Sequence, residues 1–239
     1  MTAPDGASFD VWLLEPQAPR GRLLLCHGYY ASRAQGLGIA QGLCERGYAV
    51  ALFELRGHGD RPGPCTLGIK EAEDAIAVLE WWAARDPSAA RAFGALGLSM
   101  GAAVLCRVAV LRDDVRAIVT DSVYCRFFPV LRRAVRQQYH LPAVPFAWLT
   151  WWSLELILGR RLGSGDPCLL APHLRQPLLA IQGGEDRRVN PQHALAFFER
   201  WAGPKERWFE PAVSHVAMFS RDPRAYCDRV AGFFRRELG

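Results

Sequence analysis

Residues 97–101 read Gly-Leu-Ser-Met-Gly, and this stretch decides how the rest of the chain is interpreted. The apolar run 92–98 before the serine is typical of a buried strand, and residues 100–111 after it are apolar on nearly every side, as in a buried helix. A serine on such a tight turn is pushed out over the edge of a sheet. Glycines are needed beside it because a Cβ there would collide with neighbouring backbone. We therefore predict that Ser99 is a nucleophile.

A serine hydroxyl is a weak nucleophile unless a base accepts its proton and a carboxylate orients that base. Two further apolar runs are followed by such groups: residues 178–182 by Gly-Gly-Glu-Asp186, and residues 207–210 by a loop that ends in His215. Ser99, Asp186 and His215 thus come after three different strands in that order. We predict that they are the nucleophile, the acid and the base.

The acid and the base each have an alternative interpretation. Asp186 could be an ordinary turn or helix-capping aspartate, since Asp is common at both places. Glu185, beside it, and Asp121, which follows the strand-like run 115–120, are alternative acids. His215 could be a solvated loop histidine.

The residues that follow the run 22–26 suggest where the negative charge of a reaction intermediate would be held. They read His27-Gly28-Tyr29, and Gly28 allows a sharp turn that brings the Tyr29 N–H to face Ser99. Together with the Met100 N–H at the start of a helix, it would form an oxyanion hole with two donors. His27 itself is expected to be structural.

Strand-like and helical patterns alternate along most of the chain, which predicts βαβ crossovers and an α/β fold with a mostly parallel central sheet and helices on both faces. Ligands bind such sheets at the carboxyl ends of the strands. The strand-like runs are 9–14, 22–26, 48–53, 92–98, 115–120, 178–182 and 207–210, and the helical patterns are 36–46, 69–84, 100–111, 191–201 and 223–234.

The alternation stops between residues 122 and 175, which we expect to form a small helical lid over a core of residues 1–121 and 176–239. This segment has seven Arg against Glu155 and Asp166, and it is rich in aromatic residues. A solvated basic helix face explains the charge most simply; a sharper hypothesis is attraction of anionic or interfacial acyl substrates. The aromatic residues expected to line an acyl pocket are Tyr124, Phe127, Phe128, Trp148 and Trp152.

Composition limits the possible classes of protein. The 239 residues are 50% hydrophobic and 22% charged with net charge +5, which fits one soluble globular domain. The 7 cysteines form no C-x-x-C pair. Their number and scatter argue against a disulfide framework and for a reducing, cytoplasmic location. Residues 141–158 are apolar, but Pro142, Pro145 and Glu155 interrupt them, so we expect no stable membrane insertion.

These motifs resemble those of the α/β-hydrolase family, within which small bacterial esterases and lipase- or peptidase-like members with a modest lid are most similar. The resemblance extends from the His-Gly turn at 27–28 to the final helix, and it includes the Arg-Gly-His-Gly loop at 56–59. It implies that Ser99 attacks an acyl carbon, His215 takes the proton and Asp186 holds the imidazolium. The N–H groups of Tyr29 and Met100 would then stabilise the oxyanion.

The function predicted from the sequence is a serine hydrolase of carboxylic esters with a hydrophobic acyl group, acting on a small-molecule substrate. A peptidase, thioesterase or acyltransferase with the same triad is an alternative, and a non-catalytic binding protein on the same scaffold is a third. We expect no cofactor, no metal and no nucleic-acid partner, because no pattern for binding a nucleotide, a metal or a nucleic acid is present. The sequence does not indicate an oligomeric state.

Overall fold

A seven-stranded sheet runs through the centre of the molecule, as a computed structural model of residues 1–3, 5–86 and 92–239 shows. Its strands are β1 (Val11–Leu14), β2 (Gly21–Cys26), β3 (Tyr48–Phe53), β4 (Phe93–Leu98), β5 (Val115–Asp121), β6 (Leu178–Gly183) and β7 (Lys205–Glu210). Their spatial order is β1-β3-β2-β4-β5-β6-β7. Only the β1–β3 pair of these strands is antiparallel, so the prediction of a mostly parallel sheet is confirmed.

Helices connect the strands, and the described residues form nine of them. They are α1 (Leu37–Cys44), α2 (Ile69–Arg85), α3 (Met100–Leu111), α4 (Phe127–Gln137), α5 (Ala143–Leu158), α6 (Pro167–Leu170), α7 (Pro191–Arg200), α8 (Met218–Arg221) and α9 (Pro223–Leu238). None of the helices in the described part of the chain combines the length and the apolar character needed to cross a membrane.

The core lies on both faces of the sheet because alternate residues of each strand point to opposite sides. Leu24 belongs to the cluster that packs against α2 and α3, whereas its neighbours Leu23 and Leu25 belong to the cluster with α1 and α9. Every residue of β3 and of β4 is buried. This two-sided burial explains why these strands are nearly continuous apolar runs in the sequence.

The predicted elements agree with the structure to within a few residues. The strand predicted at 48–53 and the helix predicted at 100–111 have the observed bounds. The last strand begins at Lys205 instead of 207, because this edge strand alternates exposed and partly buried side chains and its first residues are polar. The helix predicted at 36–46 begins as a 3-10 turn over Arg33–Gly36.

Between β5 and β6 the chain forms α4, α5, α6 and 3-10 turns. The two parts of this segment differ in how they pack. Cys168, Ala171 and Leu174 belong to the core cluster beneath the sheet. In contrast, α5 leaves Leu156 and Ile157 exposed and buries only Ala147 fully. The segment predicted to be a lid, 122–175, thus has one part packed into the core and a more exposed part at α5, and its role as a lid remains a prediction.

The expectation that the cysteines build no disulfide framework is wrong for one pair. Cys125 and Cys168 form a disulfide between the residues just after β5 and helix α6. The other cysteines, Cys26, Cys44, Cys65, Cys106 and Cys227, are free. A pairing between residues 43 positions apart leaves no trace in local spacing. Because of this bridge, the cysteine pattern no longer argues for a reducing compartment.

Candidate active site

Ser99 lies on the turn between β4 and α3 in a backbone conformation that few residues adopt, with φ 52° and ψ −111°. Its amide donates to the carbonyl oxygen of Asp121 at the end of β5, at 2.8 Å. The flanking glycines are required sterically, as the motif predicts. A Cβ on Gly97 would lie 2.3 Å from the Cα of Ala102, and one on Gly101 would lie 2.2 Å from the carbonyl oxygen of Cys26.

Ser99, His215 and Asp186 lie in one hydrogen-bonded line. His215 Nε2 is 2.9 Å from Ser99 Oγ, and His215 Nδ1 is 2.6 Å from Asp186 Oδ2. With the imidazole proton on Nδ1, the ring donates to the carboxylate and accepts from the serine hydroxyl. The strand ends therefore bring together the three side chains that the sequence singled out, although they are far apart in the chain.

The carboxylate of Asp186 is held from several sides. Its Oδ1 accepts from the amides of Arg188 and Val189, at 2.9 and 2.8 Å, and its Oδ2 also accepts from Gln182 Nε2 at 3.2 Å. Asp186 is buried, whereas the side chain of its neighbour Glu185 is exposed. The geometry favours Asp186 over Glu185 as the carboxylate that orients His215.

Asp121, the other alternative acid, makes its side-chain bonds elsewhere. Ser122 Oγ donates to its Oδ1 at 2.8 Å, and the hydroxyl of Tyr226 donates to its Oδ2 at 3.2 Å. Burial raises the pKa of Asp121 to about 6. Ser122 Oγ also accepts the amide of Val216, the residue after His215, at 3.0 Å. This network supports the loop that carries the histidine.

Sequence reasoning did not identify Ser122 and Tyr226 as parts of the site. Ser122 follows the alternative acid directly in the sequence Thr-Asp-Ser, which was the available signal. Tyr226 falls within the helical pattern 223–234, and the sequence gives no signal of the partner of its hydroxyl. Such a contact between α9 and the end of β5 depends on the tertiary packing.

The His-Gly turn lies against the serine. A Cβ on Gly28 would be 3.4 Å from Ser99 Cβ and from the Leu98 carbonyl oxygen, and the Gly28 amide donates to Gln35 Oε1 at 2.9 Å. Within the described part of the chain, the amides of Tyr29 and Met100 have no acceptor. Both are thus available to a ligand, and their role as oxyanion donors remains a prediction.

His27 has a supporting position beneath this turn. Its Nδ1 is 2.8 Å from the Gly28 carbonyl oxygen, and its Nε2 is 3.0 Å from the amide of Leu55 and 2.8 Å from a carboxylate oxygen of Glu54. Burial lowers the pKa of His27 to about 4. The neutral ring therefore joins the turn after β2 to the loop after β3, in agreement with the expectation that it is structural.

The aromatic residues predicted to line an acyl pocket contact one another. The ring centroids of Phe128 and Trp148 are 4.3 Å apart, those of Trp148 and Trp152 5.9 Å, and those of Tyr124 and Phe127 6.0 Å. The contact between Phe128 and Trp148 packs α4 against α5. Tyr124, which is buried, also packs in a cluster with Ala103 and Val189. A role for these rings in binding an acyl group remains a prediction.

No group of three or more His, Cys, Asp or Glu side chains in the described residues has an arrangement that could hold a metal ion. The arrangement of Ser99, His215 and Asp186 offers a hydroxyl, an imidazole and a carboxylate in line, beside two backbone amides.

A family model described as the alpha/beta hydrolase fold matches residues 21–143 of this chain. The chain therefore belongs to the α/β-hydrolase fold family. The matched residues extend from β2 through the turn at Ser99 into the segment between β5 and β6.

Similar proteins match over most of the chain. The uncharacterized protein YqkD of Bacillus subtilis is 23% identical over 96% of this chain and 77% of its own length. The uncharacterized protein Rv2307c of Mycobacterium tuberculosis is 28% identical over 88% of this chain and 68% of its own. A solved structure of the Pyrococcus furiosus esterase Pf2001 superposes with a TM-score of 0.80 at 25% identity, covering 100% of this chain and 89% of that one.

Proposed function

We propose that this protein is a serine hydrolase that cleaves carboxylic esters through an acyl-enzyme intermediate. The observation that carries the proposal is the line of hydrogen bonds from Asp186 through His215 to Ser99, at 2.6 and 2.9 Å. The fold that the chain shares with an esterase, at a TM-score of 0.80, supports an ester as the substrate.

In the first half of the reaction, Ser99 Oγ attacks the ester carbonyl carbon while His215 Nε2 takes the hydroxyl proton. The carbonyl oxygen becomes an oxyanion, which the amides of Tyr29 and Met100 receive. Asp186 stabilises the imidazolium that forms, because its Oδ2 already accepts from Nδ1. Collapse of the intermediate breaks the bond to the alcohol, which leaves with the proton from His215.

In the second half, a water molecule repeats the attack on the acyl-enzyme. His215 takes a proton from the water, and the resulting tetrahedral intermediate releases a carboxylic acid and regenerates the Ser99 hydroxyl. The segment 122–175 would act as the lid in this scheme. Its aromatic rings, among them Tyr124, Phe127, Phe128, Trp148 and Trp152, would contact the hydrophobic acyl group.

The test is labelling with a fluorophosphonate, which reacts rapidly only with an activated serine beside a formed oxyanion hole. We expect a single adduct on Ser99 in the intact mass and in the labelled peptide. Ser99→Ala should remove it. Ser153→Ala, which changes an exposed serine on α5, is the matched control and should leave it unchanged.

Turnover is then measured with 4-nitrophenyl esters of increasing acyl length, and with matched amides and thioesters. We expect the ester to be cleaved and cleavage to disappear in Ser99→Ala. A folded wild-type protein that forms no adduct and cleaves none of these substrates would contradict the proposal, and the chain would then be a binding protein on this scaffold.

A further inference from the structure

A cleft of about 550 Å³ lies between helix α4 and the residues that follow Asp186. One wall is the α4 surface, and the other is the loop and first turn of α7. The charged and polar side chains that line it include Arg132, Arg133 and Arg136 from α4, and Arg188, Asn190 and His193 from the opposite wall.

The positive charge of this cleft is not neutralised within the described residues. None of the residues that line it is acidic, and none of its four arginines forms an ion pair with a carboxylate in the described part of the chain. The acidic residues of segment 122–175 are used elsewhere. Asp166 Oδ1 accepts the amide of Phe127 at 2.9 Å, and Glu155 Oε1 accepts the amide of Leu162 at 3.0 Å.

The wall opposite α4 contributes a polar group that also lacks a partner. His193 Nδ1 is buried and makes no hydrogen bond within the described residues. Burial and the charge of Arg133 on the facing helix lower the pKa of His193. A neutral imidazole can donate one hydrogen bond to an anion while the arginines supply the charge.

The cleft shares the loop that follows Asp186 with the line of side chains that contains Ser99. Arg188 supplies a lining side chain, and its amide donates to Asp186 Oδ1 at 2.9 Å. The amide of the next residue, Val189, also donates to Asp186 Oδ1, at 2.8 Å. The Val189 side chain packs in a cluster with Val130 of α4, which lines the cleft. A group bound in the cleft therefore lies against the loop that orients His215.

We propose that this cleft binds an anionic group, such as a free carboxylate, that the ester substrate carries in addition to its ester bond. Guanidinium groups recognise planar oxyanions through paired N–H bonds, and four cations around one cleft concentrate anionic molecules near it. The inference rests on the proposed ester hydrolysis, and it narrows the substrate class to esters that carry a negative charge. A basic helix face that is only solvated is the alternative, and it is an outcome of the test.

The test compares two esters of equal acyl length, 4-nitrophenyl hexanoate and the 4-nitrophenyl monoester of adipic acid. The second differs by a terminal carboxylate. Hydrolysis of the hexanoate ester reports the proposed function alone, and the ratio of kcat/KM for the anionic over the neutral ester reports the cleft. We expect this ratio to fall several-fold between about 20 mM and about 500 mM NaCl, because salt screens exposed charges.

The variants change two exposed arginines at a time. Arg132→Gln with Arg136→Gln removes two cleft charges, and Arg160→Gln with Arg161→Gln removes two exposed charges of the same segment outside the cleft. We expect the first pair to lower the ratio about five- to tenfold at low salt while hexanoate hydrolysis is retained. The second pair should change the ratio less than about twofold.

Three results would overturn the inference. The ratio could be the same in the cleft variant and the wild type, or it could fall equally in both double variants, which would indicate only the general field of the segment. In either case hexanoate hydrolysis continues and the proposed function stands. If the folded wild type cleaves neither ester, the proposed function fails and the substrate role of the cleft fails with it.

Discussion

Cys125 and Cys168 are joined by a disulfide, with their Cα atoms 4.8 Å apart, and the amide of Cys168 donates to the carbonyl oxygen of Cys125 at 3.0 Å. The bridge closes a loop that contains both α4 and α5. Since Asp166 also accepts the amide of Phe127 at the start of α4, the base of this segment is fastened twice. The segment that would cover Ser99 is therefore anchored to the core at both of its ends.

Removing this bridge should destabilise the protein while leaving the side chains of the site in place. In the double variant Cys125→Ser with Cys168→Ser, the unfolded chain regains the entropy that a closed loop of 43 residues had removed. We expect the free energy of unfolding to fall by up to about 4 kcal/mol. Urea unfolding of the oxidised wild type and of the double variant measures it. Cys44→Ser, at a free cysteine, is the control. An equal loss in both would show that the bridge contributes nothing.

The choice of Asp186 over Glu185 predicts different effects of neighbouring amide substitutions. Asp186→Asn removes the acceptor of the His215 Nδ1 proton, at 2.6 Å, so the ring would favour the tautomer that cannot accept from Ser99. We expect kcat for ester hydrolysis to fall about 10³- to 10⁴-fold. Glu185→Gln changes an exposed side chain of the same loop and should leave kcat within about twofold. A larger loss in Glu185→Gln would identify Glu185 as the acid.

The fold and the meeting of Ser99, His215 and Asp186 could be predicted because they depend on patterns that are local in sequence. The two-sided burial of β3 and β4 makes each strand a continuous apolar run, and the turn at Ser99 needs Gly97 and Gly101 on either side of the serine. The parallel sheet then brings strand ends together, so one rule about where strands end places Asp186 and His215 near the serine.

Features that join distant segments could not be read in this way. The Cys125–Cys168 bridge and the bond from the Tyr226 hydroxyl to Asp121 connect elements whose approach is set by packing. The basic charge of segment 122–175 was visible in the sequence. The cleft was not, because its second wall, at Arg188 and His193, comes from a different crossover.

Two glycine-to-alanine substitutions should have opposite effects on stability. In Gly101→Ala the new Cβ would lie 2.2 Å from the Cys26 carbonyl oxygen, so β2 and α3 must separate. We expect a loss of more than about 2 kcal/mol in unfolding free energy, together with loss of ester hydrolysis. In Gly232→Ala, within α9, no atom lies within 4 Å of the new Cβ. That change should stabilise by about 0.5–1 kcal/mol with activity retained. Thermal unfolding followed by circular dichroism measures both, and a destabilised Gly232→Ala would contradict the packing described for α9.

Burial of Asp121 predicts how stability depends on pH. Its pKa is raised from the ordinary 3.8 to about 6, chiefly by burial, so the folded protein binds this proton more tightly than the unfolded chain does. The resulting stabilisation is complete below about pH 4 and is lost as the pH rises through 6. Asp121→Asn carries no charge at any of these pH values.

The variant should therefore gain stability relative to the wild type between about pH 4 and pH 7.5, by as much as about 3 kcal/mol. Urea unfolding of both proteins at the two pH values measures this change in the difference. Comparing the two proteins cancels the contributions to stability of groups that both contain, such as His27. Burial lowers the pKa of His27 to about 4, so its contribution to stability is lost as the pH falls. The difference in unfolding free energy between the two proteins could instead be the same at both pH values. The folded and unfolded wild type would then bind the Asp121 proton equally tightly. That result would contradict the desolvation of this carboxyl group by burial.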